Sequence, residues 1–554
     1  MASVSMLVVA VSLLKVKMVD VPVHLATGRL IVEQGVFPTT NTFSWTFPDY
    51  ALYQQYPLFQ GILYVTWRLV GFGGLSLVTC ALWTTVLAVW IRWAGSWSSA
   101  ARMAPAWLVG VLGVQRHLLL RPEVLSLLFL ALMLVSLDRL RRDERWRWVG
   151  MAIFLQWMWA NSHPLFAIGL MVQLAFVIHV ALSRRVSARL GFSDEDRDQS
   201  MLQPLALFAG GVLASLITPL GVRSLLIPYQ SILTVLTQGA TTGAAQSAEL
   251  APVWTDPIAT VVVIVALGVV LYAGIRSYGR WLWFEAALLV LAVVLVVAAL
   301  RGIGFFSVLT MGVAVRWLIR AEPRAVPFRL LSAAASVITV IACTFLIATT
   351  FNSPDSFLRN QYGIGRAVGE WPDATIDYLD EHQPEGRMLN IGWAAANVLI
   401  WEGFEVFVDP RWETYPKSFL LESVEAMQDP DVLAGQIQEW QPSWIVAELR
   451  LPDVQERMAE LVNGGEWKVV HADVLHLVLV PGAQDTEVDA VGWHSEYPII
   501  YAQEKIRVAC WYEHRGRFDD AQKLRAEAEE RGGVAVAADL KRFGDCTGPD
   551  GKQP

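Results

Sequence analysis

The sequence predicts an α-helical polytopic membrane protein carrying a C-terminal extracytoplasmic α/β domain and a short helical hairpin. Three observations lead there. The 554 residues are 54% hydrophobic and only 17% charged, with a mean hydropathy of +0.42, too apolar for a soluble enzyme of this size. Apolar runs recur throughout residues 1–350. Charge divides unevenly, because residues 351–554 hold 36 acids against 18 Lys and Arg, leaving 15 acids and 25 basic residues before them. A basic membrane part therefore precedes an acidic soluble one.

Runs able to cross a bilayer occur at about 2–19, 74–92, 103–117, 122–138, 147–161, 164–183, 203–219, 257–274, 281–299, 303–319 and 329–350, roughly eleven helices. A further run, 57–71, is interrupted by Gln60 and Arg68 and reads as an amphipathic helix lying on the membrane surface. Lys15 and Lys17 follow the first run with no small-residue cleavage signature, so that run reads as a retained helix rather than a cleaved signal peptide. The positive-inside rule puts the basic segments 138–147, 183–189, 276–280 and 320–329 in the cytoplasm. All four share that side only if 57–71 does not span. The outside segments are then 20–73, 117–122, 161–164, 219–256, 300–302 and everything after 351.

That topology gathers Asp20, His24, Arg116, His117, Arg121, Glu123, Asn161, His163, Glu249 and Arg301 at the outer face. Ionisable groups at the mouth of a transmembrane bundle mark a functional site by default. Asp20 suits a general base toward an acceptor hydroxyl if nearby cations keep it ionised, and the plain alternative is a capping acid at a helix end. His24, four residues on, shares a helical face with it, either orienting the acid or serving as a structural histidine. Lys15 and Lys17 either reach a lipid phosphate or snorkel to the headgroups. Arg116, Arg121 and Arg301 are stronger phosphate ligands, because guanidinium meets phosphate oxygens as a fixed fork. Arg121, just before Pro122, equally suits anchoring a turn. Asn161 and His163 precede Pro164 in a tight outer turn, where the histidine binds a sugar or a cation, or caps the hairpin. Glu249 is an acceptor-binding or structural candidate.

Three domains are expected: a membrane domain at 1–350 with its first outer loop at 20–73, an α/β domain at 351–490, and a helical hairpin with a tail at 491–554. The α/β part alternates helix-like runs, such as 374–382 and 431–440, with apolar strands at 387–391, 406–408, 444–447 and 476–480. Asp409 and Arg411 follow the second of these strands, either as binding residues or as a structural ion pair. Residues 498–531 place Tyr512, Gly516, Phe518, Ala521 and Ala528 at the intervals of a tetratricopeptide-like hairpin. One such repeat cannot bury its own apolar face, so it packs on the α/β domain or on a partner. Cys80 and Cys343 sit in apolar runs as small core residues, whereas Cys510 and Cys546 are able to form one disulfide if the tail is extracytoplasmic. No spacing matches a metal site.

These residues carry a resemblance. Asp20-x-x-x-His24-Leu-Ala-Thr-Gly28-Arg29, followed by Gly35-x-x-Pro38-x-x-Asn41-x-Phe-Ser44, resembles the first outer loop of bacterial membrane proteins of the GT-C glycosyltransferase class. Arg121-Pro122, Trp159-x-Asn161-x-His163 and Thr218-Pro219-x-Gly221 stand where such proteins repeat similar motifs, and the match continues into Val406-Phe-Val-Asp409-Pro-Arg411-x-x-x-Tyr415. In that class, which includes protein O-mannosyltransferases and aminoarabinose transferases, an acid in the first outer loop is the catalytic base or binds a metal, and the donor is a polyprenyl-phosphate sugar. Asp20 is the position that carries over. Related sequences tend to have a second acid two residues earlier, where Met18 stands here, and no divalent metal is expected.

The resemblance implies an inverting enzyme of the bacterial inner membrane that moves a sugar from a polyprenyl phosphate to an extracytoplasmic hydroxyl. Absence of a nucleotide-binding glycine loop from the sequence fits a lipid-borne donor. The alternative is a non-catalytic scaffold of the same fold. Membrane lipid and, through the C-terminal hairpin, a protein are the expected partners; nucleic acid is not.

Overall fold

The computed structural model describes residues 2–17, 20–52, 56–95, 103–114, 119–185, 199–228, 251–278, 282–321, 334, 337, 362–367, 371–411, 414–483, 502–531 and 546. In chain order the helices are α1 (Ala2–Ser12), α2 (Val21–Arg29), α3 (Pro57–Ala94), α4 (Ala104–Val114), α5 (Glu123–Asp143), α6 (Trp146–Ala160), α7 (Phe166–Arg185), α8 (Leu202–Leu216), α9 (Pro257–Arg276), α10 (Trp283–Ala298) and α11 (Ile303–Arg320). There follow α12 (Asp373–His382), β1 (Met388–Ile391), α13 (Ala394–Glu402), α14 (Lys417–Glu425), α15 (Pro430–Trp440), β2 (Trp444–Glu448), α16 (Pro452–Asn463), β3 (Trp467–Ala472), β4 (His476–Pro481), α17 (Ala502–His514) and α18 (Phe518–Arg531). Two compact units form: Met1–Leu14 with Gln54–Ala348, and Lys15–Tyr53 with Thr349–Pro554.

The first unit is a helical bundle. Among the described residues four helical segments are long and apolar enough to cross a membrane: Pro57–Ala94, Phe166–Ser183, Pro257–Arg276 and Leu300–Arg320. Ala104–Val114, Leu202–Leu216 and Trp283–Ala298 are apolar but shorter. The expected run at 329–350 lies outside the described residues, apart from two isolated positions. The 38 residues of α3 would measure ~57 Å as one straight helix, nearly twice a hydrocarbon core. Gly71, at φ 62° and ψ −169°, divides it at the boundary that the sequence pattern marks, a conformation that a side chain would disfavour. The central helix is α11, buried along nearly its whole length and packed on α3, α4, α9 and α10. Gly312 permits this closeness, since a Cβ there would fall 2.2 Å from the Trp93 ring.

One end of this bundle is locked by a buried charge network. Arg316 Nε donates to Glu285 Oε1 (2.9 Å), Nη1 to the Trp93 carbonyl (2.7 Å) and Nη2 to Asp138 Oδ1 (2.8 Å). Glu285 also accepts two bonds from Arg320 and one from the Trp317 indole, each at 2.7 Å. Four helices, α3, α5, α10 and α11, are tied at this point. Asp138 and Arg320 come from two segments that the charge pattern assigns to one side of the membrane, and the fold brings them to one end of the bundle. Glu285 and Arg316 are absent from the residues predicted to matter, although each is an ionisable residue inside an apolar run.

The second unit is a mixed four-stranded sheet of order β1-β2-β4-β3, with β1 parallel to β2 and the remaining pairs antiparallel. Residues 15–53 belong to this unit and supply part of its core: Trp45 and Phe47 pack against the cluster around Phe407, Tyr415, Phe419 and Trp440. The first outer loop is therefore divided between the units, and the reason is this aromatic burial. The first helix ends at Ser12 instead of extending to 19. Lys15 and Lys17 consequently flank Val16 on an extended segment whose backbone pairs with Gly365 and Ala367, rather than ending a helix.

Strands expected at 387–391, 444–447 and 476–480 correspond to β1, β2 and β4. Segment 406–408 is not a strand. Its backbone is held instead by the Asn390 amide, which accepts from the amides of Phe407 and Val408 and donates to the Val408 carbonyl. Strand β3 is an addition to the predicted set, because a register shift between Val469 and His471 breaks its alternation. The hairpin α17/α18 contributes Val508, Ala509, Trp511, Tyr512 and Ala521 to the same core as the sheet, and Cys510 is disulfide-bonded to Cys546. Cys80 is a free cysteine, half-buried in α3; Cys343 lies outside the described residues.

An acid-sensitive cluster lies under this sheet. Burial alone would raise the Asp473 pKa, but His471, His476 and Thr375 oppose it and hold the carboxyl at about 2. Thr375 Oγ1 donates to Asp473 at 2.6 Å, and the amides of Leu475 and His476 donate at 2.7 Å. His476 is completely buried, and burial depresses its pKa despite the nearby carboxylates of Asp473 and Glu448. The unfolded histidine gains its proton near pH ~6.5, whereas the folded one resists it, so stability is expected to fall as pH drops from about 7 toward 5. Asp473 adds a second loss between its unfolded pKa, near 3.8, and about 2. Urea unfolding of wild type and His476→Phe at pH 7 and pH 5 checks the first step: the variant should lose most of that pH dependence.

Candidate functional site

Two groups of polar residues can be built up from the helix ends that carry them. In the bundle unit, Glu123 follows Pro122 at the start of α5, where a negative charge suits the helix dipole. Arg301 sits in the 3-10 turn Leu300–Gly302 that precedes α11, and His163 in the turn after α6. Glu123 is 2% exposed, yet Arg301 reaches it as an ion pair, and His163 Nε2 lies 3.8 Å from the same carboxylate oxygen. Ser126 Oγ is 2.9 Å from His163 Nδ1 and accepts a bond from the Trp159 indole at 2.8 Å. Tyr56 packs beside the histidine, 5.8 Å between ring centres.

Three separate turns thus meet at one buried carboxylate. This is the convergence that the predicted outer face implies for Glu123, His163 and Arg301. The Arg301–Glu123 pair is neutral as a whole and leaves about a third of the arginine side chain exposed. It presents oriented N–H donors rather than a free positive charge. Asn161 takes a structural position: its amide donates to the carbonyls of Trp157 and Ile217, both at 2.9 Å, tying α6 to the end of α8. Arg121 lies in the turn that opens α5, its carbonyl accepting from the Val124 amide. Arg116, His117 and Glu249 lie outside the described residues. Ser126, Tyr56 and Trp159 join the group without being predicted as site residues, and an apolar run gives no sign that one serine faces a histidine 37 positions away.

In the sheet unit, Asp20 occupies the N-cap of α2, and its carboxylate makes no capping bond to that helix. His24 lies one turn on, its amide bonding to the Asp20 carbonyl, and both side chains are partly exposed. The opposite face of α2 packs on α13, where the Arg29 guanidinium donates to the Trp401 carbonyl at 2.9 Å and stacks 4.7 Å from its ring. Lys15, partly buried, has its pKa lowered by desolvation.

The rest of the first loop is fixed by Asp409 and Arg411. The guanidinium donates to both carboxylate oxygens (2.7 and 2.8 Å) and to Asn41 Oδ1 (2.7 Å), while Asn41 Nδ2 donates to the Thr414 carbonyl. Tyr415 donates to Asp409 at 2.6 Å, and burial followed by the Asp409 charge raises the pKa of its hydroxyl. Asp409 is fully buried and saturated with internal donors, the geometry of a structural ion pair. The two stretches that carry the family resemblance, around 20–46 and 406–415, are thereby joined in one network.

No family model matches the sequence, and no curated protein matches it either. Among solved structures the chain is similar to the archaeal oligosaccharyltransferase AglB from Archaeoglobus fulgidus in complex with an inhibitory peptide and a dolichol-phosphate. There the TM-score is 0.54 at 13% identity, covering 84% of this chain and 71% of that one. An Archaeoglobus fulgidus oligosaccharyltransferase tethered to an acceptor peptide gives 0.51 at 12%, covering 88% and 74%, and a complex with Zn and sulfate gives 0.51 at 11%, covering 98% and 85%. At these identities the likeness shows a fold shared with that oligosaccharyltransferase and nothing more.

Proposed function

We propose that the chain is a multi-pass membrane glycosyltransferase that moves a sugar from a polyprenyl-phosphate donor to an extracytoplasmic hydroxyl, with Asp20 as general base. The observation that carries this reading is the position of Asp20, a partly exposed acid at the head of a helix docked on α13. A fold shared with a protein whose structure contains a dolichol-phosphate supports the lipid-borne donor. In the reaction the acceptor oxygen bonds to the anomeric carbon as the bond from that carbon to the phosphate oxygen breaks. Asp20 takes the hydroxyl proton, and the electron pair leaves on the lipid phosphate. Lys15, Lys17, Arg121 and Arg301 are the cations proposed to stabilise that leaving group; Arg116 is a further candidate. His24 orients the base, and the proposed acceptor contacts include His163 and Glu249.

Asp20→Asn is the test. The variant should keep its thermal unfolding midpoint and lose transfer by about a hundredfold, within the range for a missing general base. The second reading, a non-catalytic scaffold, is favoured by Met18 at the position where related sequences carry a second acid. Under that reading Asp20→Asn leaves the cellular phenotype intact.

A further inference from the structure

The sheet unit holds a groove of about 510 Å³ at the N-terminal ends of the parallel strands β1 and β2. That volume lies within the usual range for small-ligand sites, about 300–1,000 Å³. Its walls are aromatic and fixed in place. Trp45 donates its indole N–H to the Met388 carbonyl at 2.8 Å, and Trp444 donates to the Gly386 carbonyl at 3.4 Å, with Phe404 edge-on to Trp444 at 6.3 Å. Both indole donors are therefore spent on the protein, and the rings offer surface rather than hydrogen bonds.

Polar recognition falls to two exposed side chains of opposite sign. Arg387 lies 5.1 Å over the Trp45 ring, a stack that leaves the N–H donors at its rim directed away from the indole. Glu405 lines the same groove. Among the described residues neither side chain forms a hydrogen bond or an ion pair, so five donors and a carboxylate are available together.

The backbone narrows the choice of ligand. Val406 exchanges main-chain bonds with Phe43 and Trp45, the Phe407 carbonyl accepts from the Thr46 hydroxyl, and Asn390 occupies the amides of Phe407 and Val408. Main-chain groups of 406–408 next to the groove, and the carbonyl of Met388, which lines it, are thus spent within the protein, so ligand contacts fall to side chains. A ligand read by side chains alone, offering many hydroxyls as donors and acceptors and an apolar face to set against a ring, is a saccharide.

We propose that this groove is a non-covalent saccharide-binding site, with Arg387 and Glu405 hydrogen-bonding sugar hydroxyls between the walls formed by Trp45 and Phe404. The choice of a sugar over other polyols rests on the glycosyltransferase reading; the groove itself does not take part in the transfer step.

The test uses the full chain in lipid nanodiscs, titrated by saturation-transfer NMR with free mannobiose, N,N′-diacetylchitobiose and cellobiose. At least one disaccharide should bind, and Arg387→Ala and Glu405→Gln should each weaken it about tenfold, the effect of a lost charged hydrogen bond. Both residues are exposed and outside the core, so the variants should fold. No binding by any of the three sugars overturns the proposal, as does binding unaffected by either variant. A serine-rich hexapeptide that binds with the same variant sensitivity, while the sugars do not, also overturns it. Asp20→Asn should leave sugar binding unchanged. Variant-sensitive sugar binding in a protein that shows no transfer would preserve the groove and remove the glycosyltransferase reading.

Discussion

Arg316→Met should lower the stability of the bundle unit by about 3–5 kcal/mol, the usual cost of removing one member of a buried ion pair. The side chain is 6% exposed and satisfies three acceptors on three other helices. Methionine matches much of the volume, so the cost is electrostatic: Asp138 loses its shortest bond and keeps Arg141 at 3.8 Å and the more exposed Arg142 at 3.0 Å, while the Trp93 carbonyl loses its donor. Glu285 keeps Arg320 and Trp317, which limits the damage at that position. Arg316→Lys should recover only part of the loss, because an ammonium is a point charge and cannot bridge three acceptors set around a planar fork. Thermal unfolding in detergent reads both variants, and an Arg316→Met midpoint equal to wild type would refute the network's role.

Asp409→Asn is expected to be comparably severe in the sheet unit, again about 3–5 kcal/mol, because it leaves the Arg411 guanidinium buried without its carboxylate. The consequence should extend beyond stability. Arg411 holds Asn41, and Asn41 holds the Thr414 carbonyl, so the network pins the segment that follows α2. Limited proteolysis should therefore cut within residues 30–52 in the variant, at protease levels that leave wild type intact. Tyr415→Phe removes a single hydrogen bond to the same carboxylate and should cost about 2 kcal/mol without opening the loop. Equal protection of the loop in Asp409→Asn and wild type would show that aromatic burial of Trp45 and Phe47 suffices to hold it.

Much of the candidate site is legible in the amino-acid sequence. Charge bias predicts one outer face for Glu123, His163 and Arg301, and in the fold their three turns meet. The motif beginning at Asp20 does form a helix, with His24 one turn along. What the pattern hides is mostly polar residues in apolar company. Ser126, Glu285 and Arg316 each look isolated in a hydrophobic run, and their partners become apparent only when helices cross. Segment 406–408 shows the opposite error, since three apolar residues after a glycine-ended helix read as a strand while their backbone is held by the Asn390 amide and by residues 43–46.

Sequence by itself marked most of the apolar runs that become helices of the bundle, the break near Gly71, the shift from basic to acidic composition near residue 350, and three of the four strands. These are local properties: hydropathy over a window, a glycine at a bend, alternation along a strand. Tertiary structure alone decided that residues 15–53 fold with the C-terminal unit, that Asp409 and Arg411 lock a loop about 370 positions away, and which carboxylate meets which guanidinium inside the bundle. Such pairings depend on where separate segments cross, and a contact between distant residues leaves no period in the chain that forms it.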